Sequence, residues 1–355
     1  MSTPKTPVRV VVVEDSRTVR ERLVEILERD PDIDVVATGC DGHQATQLCR
    51  LHRPDVITLD IVMPNMDGLA ATEHIMGHSP TPILIVSASL NRGELFKTYD
   101  ALRAGAVDVL DKPNGDDHDG WERRFIDTVK LVSRIKVITH LRARLAPRPR
   151  PTSLPSSASG IARSVIAIGA STGGPGALVE VLRQIPAGAN VTVLIVLHIG
   201  EQFATAFASW LETQTRHPTT VARDGEHVHR PELGKTRVLL APAGHHLRIR
   251  GGRVSLALDA ERHACRPSVD VLFESIAAEL GPAGLACLLT GMGRDGALGL
   301  LAVRRAGGAT IAQDEETSVV FGMPREAIIL GAAEQILPLG EIGRALTVLA
   351  EGRPR

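Results

Sequence analysis

The sequence is poor in aromatic residues: six Phe, two Trp and one Tyr make up 3% of its 355 residues. A core built with so few rings must rely on Val, Ile, Leu and Ala, and a base-stacking platform for single-stranded nucleic acid is excluded. The chain also lacks an excess of either charge. Its 40 Lys+Arg against 41 Asp+Glu leave a net charge of −1, so no global basic field exists to hold DNA or an acidic membrane. Only four cysteines occur, Cys40, Cys49, Cys265 and Cys287, with no CxxC pair and no zinc-finger spacing. Scattered thiols in a chain of this length point to a reducing compartment. No apolar run reaches the roughly 18 residues of a membrane span. The short Val-rich run near the N-terminus ends in Glu14-Asp15, which fits neither a signal peptide nor a membrane anchor. Together these absences predict a cytoplasmic protein with no nucleic-acid partner and no direct membrane insertion.

The length exceeds what one hydrophobic core usually supports, so two domains are expected. Residues 147–155 hold four prolines, residues 156–160 read Ser-Ser-Ala-Ser-Gly, and residues 134–150 carry six Lys/Arg with no acid. Such composition favours extended, solvated chain. The predicted organisation is a first domain over 1–140, a Pro/Ser/Arg-rich linker over 141–163, and a second domain over 164–355.

In the first part, β-branched runs at Val8–Val13, Val35–Ala37, Val56–Leu59, Ile83–Val86 and Val107–Leu110 alternate with segments of helical spacing. Five such units predict a five-stranded parallel, flavodoxin-like α/β sheet of order 2-1-3-4-5. In the second part, strands are expected at Val165–Ile168, Val191–Leu197, Val238–Leu240, Leu285–Leu289 and Thr310–Ile311, with helices over 175–184, 201–214, 268–280 and 295–306. A β-hairpin is expected over Arg248–Leu258 around Arg-Gly-Gly-Arg. The second domain therefore reads as a doubly wound, mostly parallel α/β sheet.

Glu14 and Asp15 stand where the first strand ends, Asp60 where the third ends, Ser87 at the end of the fourth, and Lys112 just after the fifth. In the order 2-1-3-4-5, strands one and three meet at the topological switch point, so these groups share one crevice. Three acids there are tolerable around a hard divalent cation, and a hydroxyl and an ammonium nearby suit phosphoryl transfer to Asp60. Taken singly, each Asp could be a turn or cap residue; five polar residues, each at its own strand end, argue for a site.

Val-Val-Glu-Asp-Ser (12–16), Asp-Ile-Val-Met-Pro-Asn-Met-Asp-Gly-Leu (60–69), Ser87-Ala88 and Lys112-Pro113 resemble a response-regulator receiver domain over about 1–130. The resemblance implies that Asp60 accepts phosphate from a chemotaxis histidine kinase. Mg²⁺ would be held by Glu14, Asp15, Asp60 and the carbonyl of Val62, with Ser87 and Lys112 in support. Many receivers place Phe or Tyr three residues before the lysine; here that position is Val109.

The second motif is Val-Ile-Ala-Ile-Gly-Ala-Ser-Thr-Gly-Gly-Pro-Gly (165–176), a buried strand running into a glycine-rich turn and then a helix. Gly169-Ala-Ser171-Thr-Gly173 has G-x-S-x-G spacing, which exposes a serine hydroxyl at a helix N-terminus. A dinucleotide or P-loop site fits this turn less well, because its glycines fall in no G-x-G-x-x-G register and the P-loop lysine is missing. His198 follows a wholly apolar strand, and Asp295 lies in Leu-Leu-Thr-Gly-Met-Gly-Arg-Asp-Gly (288–296) after another. Asp295 could instead cap the helix after it. Because Ser171, His198 and Asp295 all close predicted parallel strands, one crevice can gather them as nucleophile, base and orienting acid. The chain order Ser–His–Asp differs from the Ser–Asp–His order of α/β-hydrolases.

Gly169–Pro175, His198–Phe203, Arg266-Pro-Ser-Val-Asp270, Leu289–Ala297, Gln313–Ser318 and Gly322-Met-Pro324 resemble the catalytic domain of the chemotaxis protein-glutamate methylesterases. The resemblance covers nearly all of 164–350, and a receiver preceding this domain is that family's arrangement. It implies hydrolysis of glutamyl γ-methyl esters on methyl-accepting chemoreceptors, deamidation of glutamine as a second activity, and no cofactor for the ester chemistry. Met292 would be an oxyanion donor, with the Ser171/Thr172 turn adjacent. One departure is Ile199-Gly200, where the family usually has Met-Pro. The same chemistry in a non-motility chemosensory pathway, or a catalytically silent receptor-binding module, are the alternative readings.

Overall fold

The computed structural model describes residues 6–88, 91–112, 118–135, 137, 161, 163–228 and 234–352. The chain divides into two compact units, Met1–Arg148 and Pro149–Arg355. Residues 141–160 and 162 of the expected linker lie outside the described residues.

The first unit contains strands β1 (Val8–Val13), β2 (Ile33–Gly39), β3 (Val56–Leu59), β4 (Ile83–Ser87) and β5 (Asp108–Asp111), all paired parallel in the order β2-β1-β3-β4-β5. Helices α1 (Arg17–Glu28), α2 (Gly42–His52), α3 (Gly68–His78), α4 (Arg92–Ala104) and α5 (His118–Val132) make the crossovers. Several helix starts are written locally. Asp41, Asp67 and Asn91 each accept a hydrogen bond from the backbone N–H three residues on, satisfying donors the helix itself leaves orphaned. The central strands are buried on both faces, which is why they read as unbroken apolar runs rather than alternating ones. Trp121 and Phe125 of α5 stack and close the core over Val10, Val12 and Leu84.

The second unit holds a seven-stranded sheet of order β14-β13-β12-β6-β7-β9-β8, with every pairing parallel. Its strands are β6 (Val165–Ala170), β7 (Thr192–Leu197), β8 (Thr219–Val221), β9 (Arg237–Leu240), β12 (Leu285–Leu288), β13 (Ala309–Gln313) and β14 (Gln335–Leu337). The hairpin β10 (His246–Arg250) and β11 (Arg253–Ala257) forms a separate antiparallel pair. The helices are α6 (Gly174–Gln184), α7 (Glu201–Thr215), α8 (Val269–Leu280), α9 (Ala297–Arg305), α10 (Met323–Ile329) and α11 (Leu339–Glu351). Both edge strands, β8 and β14, escape sequence reading because three residues carry no periodicity. Helix α9 starts at Ala297 rather than 295, because the chain first makes a turn that frees Asp295 for another role.

Candidate active sites

In the first unit the pairing Val13↔Leu59 sets the ends of β1 and β3 side by side, so Glu14 and Asp60 emerge as neighbours. Both are buried, and one oxygen from each of Glu14, Asp15 and Asp60 lies within 4.8 Å of the others. Lys112 enters from the end of β5, with Nζ 2.7 Å from Glu14 Oε2 and 2.9 Å from Asp60 Oδ2. Its own backbone N–H donates to the Ser87 carbonyl at 3.0 Å, which ties β5 to the buried end of β4. Burial and then the Asp60 charge push the Glu14 pKa up to about 7, against the pull of Lys112. Burial raises Asp60 as well. An all-oxygen donor set in which burial disfavours the charges of Glu14 and Asp60 fits a hard divalent cation. Val62 lies two residues beyond Asp60 in the loop to α3, and Val109 pairs with Ile85 in the sheet.

In the second unit, the register Ala170↔Leu197 between β6 and β7 places Ser171 and His198 as the next residue on each strand. The His198 N–H donates to the Ala170 carbonyl at 3.1 Å, and the Ser171 N–H donates to Thr290 at 3.0 Å, just beyond β12. Thr290 is fixed in turn by Gln313, whose side-chain oxygen accepts its N–H at 2.8 Å. Gly173 follows the serine with φ +78, a conformation costly for other residues, and a Cβ there would lie 2.6 Å from Val319 Cβ. Gly291 lies so close that a Cβ on it would fall 2.8 Å from Ser171 Cβ. The sharp turn at the serine therefore depends on these two residues having no side chain.

His198 Nε2 donates to Asp295 Oδ2 at 2.9 Å. Asp295 does not cap its own following helix, whose first position is flanked by Gly296 without a side-chain cap. Instead it caps α8. Ser268 Oγ donates to Oδ1 at 2.7 Å, Val269 N–H to Oδ2 at 2.7 Å and Asp270 N–H to Oδ1 at 3.1 Å. Burial alone would raise this carboxyl, but His198, Ser268 and the α8 N–H groups hold it below the usual carboxylate range. Burial works against a charged His198, yet the Asp295 hydrogen bond, and after it Cys265, push its pKa up to about 9.

With Nε2 committed to Asp295, the free ring nitrogen is Nδ1. It faces Cys265 Sγ at 3.8 Å, and among the described residues no hydrogen bond joins Ser171 Oγ to the ring. The Ser171–His198 contact expected from sequence is therefore not closed here, a gap that tightens in many enzymes only when substrate binds. Cys265, Ser268 and His263 escaped the sequence reading. The Arg-Pro-Ser-Val-Asp segment (266–270) holds Ser268, but nothing local to it says that Asp295 would dock on the helix it starts. A cavity of about 470 Å³ opens here, lined by His198, His263, Cys265, Met292, Arg294 and Asp295 among others. Met292 lines it and is exposed, whereas Thr172 is buried, its carbonyl accepting from Thr290 Oγ1 at 3.0 Å.

The family description "CheB methylesterase" matches residues 166–346, and "response regulator receiver domain" matches residues 10–118. A relative from Nitrosospira multiformis, named protein-glutamate methylesterase/protein-glutamine glutaminase, is 43% identical over 98% of both chains. The chain belongs to the CheB methylesterase family. A second relative of that name, from Pseudomonas aeruginosa, is 42% identical over 98% of each chain. The crystal structure of the Thermotoga maritima CheB methylesterase catalytic domain matches 53% of this chain and 100% of its own, at 33% identity and a TM-score of 0.50. Membership in this family agrees with the two parallel α/β sheets in their order along the chain. Among the described residues, no helix is long and apolar enough to cross a membrane.

Proposed function

We propose that this protein is a phosphorylation-activated protein-glutamate methylesterase. It hydrolyses glutamyl γ-methyl esters on methyl-accepting chemoreceptors, releases methanol, and deamidates glutamine with the same machinery. The observation that carries this reading is the His198–Asp295 pair, with Ser171 following the strand position opposite the one that His198 follows. His198 Nδ1 takes the Ser171 proton as Oγ attacks the ester carbonyl, and Asp295 stabilises the imidazolium that forms. Developing negative charge on the carbonyl oxygen is met by backbone N–H groups, that of Met292 among them with the Ser171/Thr172 turn adjacent, each donor of this kind being worth about 2.7–4 kcal/mol. The imidazolium then returns its proton to the leaving methoxide oxygen, and water repeats the attack on the acyl-serine. A primary amide passes through the same steps with ammonia leaving.

In the first domain, Asp60 is the phosphoacceptor and a histidine kinase the donor. Glu14, Asp15, Asp60 and the Val62 carbonyl would hold Mg²⁺, which when bound neutralises phosphoryl oxygens. Lys112 supplies a second positive charge at the same oxygens, and Ser87 a hydroxyl. We place the domain boundaries at about 140 and 164, in a cytoplasmic protein.

Methanol release from methyl-labelled receptor, comparing wild type with Ser171→Ala, tests the assignment. Release by wild type and none by the variant is expected. Equal release by both removes Ser171 from the mechanism, and no release by wild type from any receptor favours a catalytically silent receptor-binding module.

A further inference from the structure

Cys265 has no place in the ester chemistry, yet its sulphur faces the one ring nitrogen of His198 that Asp295 leaves free. We propose that His198 Nδ1 and Cys265 Sγ form a site for a borderline-soft divalent cation, Zn²⁺, whose binding reversibly shuts off the esterase. The inhibitory half of this inference rests on the methylesterase reading; the metal site does not.

The geometry suits the ion. Zinc bonded tetrahedrally to imidazole nitrogen and thiolate sulphur at about 2.0–2.1 and 2.3 Å sets those two atoms roughly 3.6 Å apart; here they are 3.8 Å apart. Metal-binding histidines usually donate their other ring N–H to a carboxylate, which fixes the tautomer and makes the ligand more basic. Asp295 already does this at 2.9 Å. Asp295 stays on Nε2, and the cavity that His198 and Cys265 line leaves room for water in the remaining positions around the ion.

The loop that presents the thiol is built rather than loose. Arg262 and Cys265 exchange backbone hydrogen bonds at 3.1 and 2.9 Å, and His263 and Ala264 between them adopt φ +54 and +58. Non-glycine residues are held in that region only where the surroundings over-determine them. Here His263 Nε2 bonds Asp270 at 3.1 Å, Arg294 Nε donates to His263 Nδ1 at 3.3 Å, and Arg262 pairs with Glu274 at 2.7 Å. The nitrogen–sulphur donor set selects zinc over magnesium, while the all-oxygen cluster of Glu14, Asp15 and Asp60 prefers the harder ion. A cation on Nδ1 occupies the lone pair that would accept the Ser171 proton.

The test uses the full-length protein with Co²⁺ as a spectroscopic probe. Cobalt bound to a thiolate gives a near-ultraviolet sulphur-to-metal absorption band, whereas cobalt on carboxylates alone gives none. The expected result is a band in wild type that Zn²⁺ displaces and excess Mg²⁺ does not, absent in Cys265→Ala and in the near-isosteric Cys265→Ser. No band in wild type, or a band that persists in both variants, overturns the site. In parallel, methanol release is measured with and without Zn²⁺, each protein normalised to its own metal-free rate. Inhibition of wild type reversed by chelator, and lost in both Cys265 variants, supports the switch. Equal inhibition of all three overturns it. If wild type releases no methanol under any condition, the methylesterase reading fails and the cobalt band still decides the metal site.

Discussion

Asp295 receives His198 Nε2–H on one side and the first N–H groups of α8, with Ser268 Oγ, on the other. A buried carboxylate is normally a liability. Here a helix N-terminus stabilises its charge, and the charge in turn holds the imidazole in one orientation.

Activity should rise with pH. The His198 pKa of about 9 lies above the ordinary 6.5, so the imidazole is largely protonated at pH 7 and the neutral base fraction grows as pH climbs through 9. The rate profile of kcat/KM should show its acidic limb near that value. The same shift makes the His198–Asp295 pair stabilising, fully so below pH 6.5 and lost as pH rises through 9. A limb near 6.5 would contradict the pairing.

Ser268→Ala removes one donor to Asp295. Hydrogen bonds to charged groups are worth about 1.5–3 kcal/mol, so kcat/KM should fall tenfold or more. With less to hold Asp295 ionised, the acidic limb should also move down in pH, which a purely structural effect on folding would not do.

Gly291→Ala places a methyl 2.8 Å from Ser171 Cβ and 2.3 Å from Met323 Sδ. Overpacking of this kind costs about 1–3 kcal/mol. The protein should still fold, with a lower melting temperature and strongly reduced methanol release, because the serine itself is displaced.

In the first domain, Glu14 has a pKa of about 7 against an ordinary 4.5. Its charge therefore destabilises the fold increasingly as pH rises from 4.5 through 7. Mg²⁺ should raise the melting temperature more at pH 8 than at pH 5. Lys112→Ala leaves two buried acids unpaired, a loss of about 3–5 kcal/mol where both are charged. Its penalty should shrink at pH 5, where Glu14 is neutral.

Asp60→Ala, assayed with a small-molecule phosphodonor, should match unphosphorylated wild type in methanol release and show no activation. Activity equal to that of phosphorylated wild type would end the proposal of phospho-control.

Much of this protein is determined by sequence alone. Apolar runs such as Val10–Val13 and Val193–Leu197 have no polar face to turn outward, so they must be central strands of covered parallel sheets. In such sheets the polar residues that close each strand collect along one edge, which is why Glu14, Asp60 and Lys112, and likewise Ser171 and His198, were legible as neighbours. The rest was decided only by the tertiary structure. Asp295 was legible as the acid that joins Ser171 and His198, with a cap of α9 as the local alternative, but nothing near it in the chain points to α8. Which ring nitrogen of His198 the acid would take, and that Cys265 would meet the other, depend on a loop 67 residues away in the chain. Strand and turn chemistry act within a few residues and can be read in order; contacts between loops follow from packing, which sequence order does not encode.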